Sequence, residues 1–176
     1  MSNEKKTEDK PDKLKERILE ESSVSTQHSV SIGGKTIDYT ATAGTVNLTD
    51  EFGNPTASVF CTAYIKEGED PANRPISFCF NGGPGSSSVW VHMGLLGPKR
   101  VLLDDEGNAP PPPYQLVENE YSLLDESDLV FIDPVSTGYC RATTDKAAKK
   151  FHTYTCLLYT SPSPRDLSTS RMPSSA

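Results

Sequence analysis

The chain reads as an α/β protein in which antiparallel amino-terminal strands lead into a mostly parallel sheet, and three observations carry that reading. A period-two alternation of apolar and polar residues runs from His28 to Ile65, broken by turn residues. Two short, almost continuously apolar runs follow, Pro75 to Phe80 and Leu129 to Ile132. Each run ends in a loop rich in Gly, Pro or Asp, as buried parallel strands do where a site sits at their carboxyl ends.

The elements follow in order. The first 22 residues hold 13 charged side chains, and only Leu14, Ile18 and Leu19 form an apolar stripe. Residues 1–27 are therefore expected to be a charged arm, disordered or helical. Val30 and Ile32, a Gly33-Gly34 turn, then Ile37 and Tyr39 predict a hairpin. Val59, Cys61, Ala63 and Ile65 predict a third antiparallel strand, and PISFCF at 75–80 a buried one. Ser88 to Leu96 suits one or two helical turns stopped by Gly97-Pro98, with Trp90 and Met93 read as core. The four prolines from Pro110 mark a polar loop, and the apolar run 129–132 closes on Asp133-Pro134.

Charge and composition exclude several classes. With 24 acidic against 17 basic side chains and a net charge of -7, there is no basic field to collect a nucleic acid. No apolar run approaches the ~18 residues of a membrane-spanning helix. MSNEKKTEDK has lysines but no apolar segment behind them, so no secretory signal is read and the compartment stays open. Cysteines 61, 79, 140 and 156 form no Cys-x-x-Cys pair and have no histidine at zinc spacing, so neither a metal nor any cofactor is expected.

Chemistry concentrates in Asn81-Gly82-Gly83-Pro84-Gly85-Ser86-Ser87-Ser88, directly after a strand. Glycines let the backbone approach a ligand closely, so consecutive N–H groups can converge on one negative atom, a phosphate or an oxyanion. A P-loop needs a lysine that is absent until Lys99, and a dinucleotide loop needs a glycine where Ser88 stands. Phosphate is the weaker option. Between an oxyanion hole and a tight structural turn, the loop alone does not choose.

FNGGPGSSSVWVHMGLLGP, followed some thirty residues later by YSLLDESDLVFIDPVSTGYCRA, resembles the serine carboxypeptidases, hydrolases of the α/β-hydrolase fold. The resemblance implies a partial α/β-hydrolase fold over residues 28–155 and cleavage of carboxy-terminal peptide bonds through an acyl-enzyme. It implies that Asn81 and Gly82 bind the terminal carboxylate of a peptide or protein substrate, and that Gly83 donates a backbone N–H to the oxyanion. This sequence departs from the family at two places. Ser86 stands where a disulfide cysteine is common, and Ser136, Gly138, Tyr139 and Cys140 stand where Gly-x-Gly-[FY]-Ser is common. The loop from Asp133 to Arg141 is expected to line the cleft without a catalytic role.

The resemblance also implies a serine nucleophile within Gly-x-Ser-x-Gly, followed by an acid and a histidine. The sequence has no Gly-x-Ser-x-Gly, and His28, His92 and His152 read as surface or packing residues. Residues 156–176, from CLLYTSPSPRD onwards, resemble a translated sequencing-library adapter and are expected to be a non-native tail. The chain is accordingly expected to be a truncated, inactive amino-terminal fragment, poorly soluble because strand 127–132 would lack edge partners. Two other readings stay open: an esterase of the same fold, and a non-catalytic interaction domain in which the glycine loop is only a turn.

Overall fold

The computed structural model describes residues 20–82 and 85–152. Most of the predicted arm, all of the predicted tail, and Gly83 lie outside the described residues. A six-stranded mixed sheet dominates, built from β1 (Ser23–Ile32), β2 (Lys35–Thr49), β3 (Pro55–Lys66), β4 (Ile76–Cys79), β7 (Asp128–Ile132) and β8 (Arg141–Ala142). A separate two-stranded ribbon pairs β5 (Lys99–Val101) with β6 (Leu116–Glu118).

Spatial order in the main sheet is β1-β2-β3-β7-β4, with β8 also on β3. All pairings are antiparallel except β4 with β7, which is parallel. The predicted hairpin is β1-β2. Its turn residues Gly33 and Gly34 have φ 57° and 78°, the positive pair that a two-residue turn twisted like its strands requires. β1 begins at Ser23, inside the segment the sequence assigned to the arm. Ser23 to Gln27 pair with β2 through the backbone while their side chains stay exposed, so no apolar alternation announced them.

Helical content is small. A single turn, α1 (Val89–Val91), runs into a wider π turn over His92–Leu96, and α2 (Asp145–Phe151) closes the described chain. No helix among the described residues is long and apolar enough to cross a membrane. Trp90 departs from expectation. It is 71% exposed, because Val91 and Leu96 are the residues of this segment that face the core.

The sheet has two apolar faces. One carries Val30, Ile32, Ile37, Tyr39, Tyr64, Cys79, Leu129 and Phe131, buried beneath Leu124 and the α1 segment. The alternate positions, Val46, Val59, Phe78, Phe80, Val130 and Ile132, line an open groove of about 280 Å³ on the other face. Strand 75–80, expected to be buried, is an edge strand in which Phe78 and Phe80 are each 46% exposed. Strand 127–132, expected to lack edge partners, lies between β3 and β4. Among the described residues β1 and β4 stand at the two ends of the main strand order, and the short β8 is paired on one side only.

A buried ion pair sets the end of the sheet away from the glycine loop. Arg74 Nε donates to Asp128 Oδ1 at 2.7 Å, and both side chains are about nine-tenths or more buried. Asp128 Oδ1 also accepts from Lys66 N of β3 at 3.0 Å. Arg74 reaches on to the carbonyls of Leu124 and Asp125. One guanidinium thus aligns β3, β7 and the turn before β7.

Candidate functional site

β4 and β7 run parallel in a register that sets Cys79 opposite Phe131, so the loops leaving their carboxyl ends emerge side by side. The first is the glycine loop from Asn81. The second begins at Asp133 and passes through Pro134 to Arg141.

One side chain joins the two loops. Asp133 Oδ1 accepts hydrogen bonds from Ser88 N and Ser88 Oγ, both at 2.8 Å, and Asp133 and Ser88 are buried. The other oxygen of this carboxylate lies against Gly138, where an added Cβ would fall 1.8 Å from Asp133 Oδ2. With φ at 48° as well, position 138 requires glycine twice over. The Asp133 backbone is equally held, by Asp133 N donating to Phe60 O at 3.2 Å.

Asn81 is half-buried and closes the glycine loop on itself, its Nδ2 donating to Ser86 Oγ at 3.0 Å. The hydroxyl therefore ties the loop at a position where a disulfide cysteine is common in the resembled family. Gly82 is exposed, and nothing lies within 4 Å of where its Cβ would stand. The backbone N–H groups of Gly82 and Gly85 donate to no other described residue. Beside Gly85 opens a polar cleft of about 830 Å³ lined also by Ser87, Ser136, Thr137, Gly138 and Arg141. The second loop lines this cleft, as its position in the sequence implied.

The three histidines have separate surroundings. His92 stacks on Phe131 with ring centroids 4.2 Å apart, and its Nε2 lies 2.7 Å from Tyr64 Oη. Burial pushes its pKa down to about 4, against a smaller opposing pull from Asp133, and pushes the Tyr64 phenol up to about 12. Both rings are neutral at neutral pH and act as packing. His28 is exposed and lies 2.8 Å from Thr26 Oγ1. His152 Nε2 lies 2.9 Å from Ser136 Oγ at the cleft rim, but among the described residues no carboxylate hydrogen-bonds this ring to orient it.

Cys140 is fully buried. Its Sγ accepts from Phe60 N at 2.9 Å and donates to Asp133 O at 2.9 Å, so the thiol serves as a hydroxyl would. Burial raises its pKa to about 11, which removes thiolate chemistry at neutral pH. No group of three or more His, Cys, Asp or Glu among the described residues could hold a metal ion.

Sequence reasoning singled out Asn81 and Gly82, which stand on the glycine loop but outside the cleft lining, and missed the Asp133 to Ser88 link. The only signal for it was an acidic residue ending an apolar strand, a common strand-end feature with many partners available.

A serine carboxypeptidase family model matches residues 35–156. Serine carboxypeptidase-like 33 of Arabidopsis thaliana is 33% identical over 99 residues, covering 55% of this chain and 18% of its own length. Carboxypeptidase Y homolog A of Phaeosphaeria nodorum is 36% identical over 77 residues, or 43% of this chain and 12% of its own. Serine carboxypeptidase-like 36 of Arabidopsis thaliana is 36% identical over 88 residues, covering 49% and 17%. The chain thus spans less than a fifth of the length of these relatives. A family match over more than half of the sequence, joined to a glycine loop at the carboxyl end of a parallel strand, places the chain in the serine carboxypeptidase family.

Proposed function

We propose that this chain is part of a serine-type carboxypeptidase, and that it contributes the oxyanion loop and the clamp for the substrate's terminal carboxylate. The reaction is hydrolysis of the last peptide bond of a peptide or protein with a free carboxy terminus. A serine hydroxyl attacks the scissile carbonyl while a histidine takes its proton; the amine leaves with that proton, and water then releases the acyl group. Nucleophile, acid and base are assigned to sequence beyond this chain, which by itself is inactive.

Within that reaction Gly83 is assigned the backbone N–H that donates to the oxygen on which charge develops. Losing one such donor costs ~2.7–4 kcal/mol, or roughly a hundredfold to a thousandfold in kcat. Asn81 Nδ2–H and the Gly82 N–H hold the terminal carboxylate, where amide donors suffice without a cation. The observation that supports the reading is that the N–H groups of Gly82 and Gly85 donate to no other described residue, with Gly85 lining a polar cleft beyond the carboxyl end of β4. A loop that served only as a turn would spend those donors internally.

The clamp is tested in the full-length enzyme with Asn81→Ala. KM should rise about tenfold to a hundredfold for peptides with a free carboxylate, the cost of a hydrogen bond to a charged group. KM for the matching amides or esters should hardly change. Equal effects on both substrate types would remove the carboxylate from the role given to Asn81, and a preference for esters lacking any carboxylate would favour an esterase.

A further inference from the structure

We propose that Asp133 is a positioning residue for the oxyanion loop, a strut that fixes the loop's end at Ser88 and with it where the amides of Gly82 and Gly85 point. The inference deepens the functional reading above and rests on it. Asp133 sits at the carboxyl end of β7, and its Oδ1 takes both hydrogen bonds that Ser88 can donate, at 2.8 Å each. Ser88 is the buried residue that ends the glycine loop. The other end is continuous with β4, which pairs with β7 in parallel. Both ends of the loop are therefore referred to one strand, by backbone pairing on one side and by the Asp133 carboxylate on the other. Gly138, where no Cβ fits, leaves the space that Oδ2 occupies and so lets the carboxylate hold this orientation. The groups facing it from neighbouring elements are Ser88, His92, which feels its charge, and the Cys140 thiol on its carbonyl.

An oxyanion donor works only near its aligned position, and a displacement of about 1 Å can cost ~100-fold in rate. Asp133 touches no reacting atom in this account. It acts through the loop, so its removal should lower kcat and spare KM.

The test uses the full-length enzyme with Asp133→Ala and Asp133→Asn, each assayed where it is folded by circular dichroism. The Ala variant should lose about tenfold to a hundredfold in kcat with KM within about twofold, while Asn, which keeps an acceptor oxygen, restores most of it. Gly138→Ala should resemble the Ala variant. A kcat that follows only the folded fraction, or a KM that rises as kcat falls, would overturn the proposal. A second readout does not depend on activity. In ¹⁵N spectra of the 176-residue chain, Asp133→Ala should shift the Ser88 and Gly85 amides and Asn should leave them near their original positions; unmoved Gly85 in the Ala variant refutes the strut. If the wild-type enzyme removes no carboxy-terminal residue, the carboxypeptidase reading fails, and the amide shifts still decide the role of Asp133.

Discussion

At the scale of single residues, His92 and Cys140, buried near the cleft, are held neutral. His92 keeps its ring between Phe131 and Tyr64, and its pKa falls to about 4 because burial penalises the imidazolium. An unfolded chain binds that proton near pH 6.5, so between about 6.5 and 4 the unfolded state holds more protons than the folded state. Stability from this group is full above pH 6.5 and is lost as the pH falls through that window. Discounted for partial exposure of the ring, the loss is ~1–2 kcal/mol, read as a lower denaturant midpoint at pH 4.5 than at pH 7. His92→Phe keeps the stack and should flatten the difference. An NMR titration of His92 centred near pH 6.5 would contradict the burial argument. Cys140, with its pKa raised to about 11, should resist a thiol reagent at pH 8 until the chain is unfolded.

At the scale of elements, the Arg74 to Asp128 pair aligns the strand ends away from the cleft, and therefore the frame from which both loops hang. Asp128→Ala leaves the buried guanidinium with only the exposed Glu69 as a carboxylate partner and should cost ~3–5 kcal/mol, measured by denaturant unfolding. A cost under about 1 kcal/mol would mean that Glu69 and the carbonyls of Leu124 and Asp125 satisfy Arg74 without Asp128. Legibility also varies at this scale. β2 and β3 were visible because Ile37, Tyr39, Val59 and Cys61 alternate in a sheet with two distinct faces. The first half of β1 was not, since Ser23 to Gln27 join by backbone pairing and carry no apolar signal. The β5-β6 ribbon was missed because three-residue strands are too short for a period to show. The glycine loop could be singled out since a glycine run after an apolar strand has few structural uses, and its Gly85 lines the cleft. Asp133 escaped because hydrogen-bond partners 45 residues apart leave no local pattern.

At the scale of the whole molecule, the sheet has more apolar surface than the described chain covers. Parallel strands are buried on both faces in complete α/β domains, yet Phe78 of β4 and Phe80 just after it are each 46% exposed above the open groove. The chain alone should therefore bind a hydrophobic dye and self-associate, and Phe78→Lys should reduce both. A wild-type chain that is monomeric and dye-silent at tens of micromolar would show that the groove is covered. The same edge bears on activity. A glycine loop with open amides stabilises a developing charge only when an attacking hydroxyl is delivered beside it, and this sequence holds no Gly-x-Ser-x-Gly to deliver one. The most direct test is selective ¹⁵N-glycine labelling of the full-length enzyme, with the amide of Gly83 followed as a phosphonate inhibitor forms its tetrahedral adduct on the active serine. The account predicts a strong downfield shift of the Gly83 amide proton as it takes the phosphonyl oxygen. A Gly83 amide that stays in place while the adduct forms would contradict it.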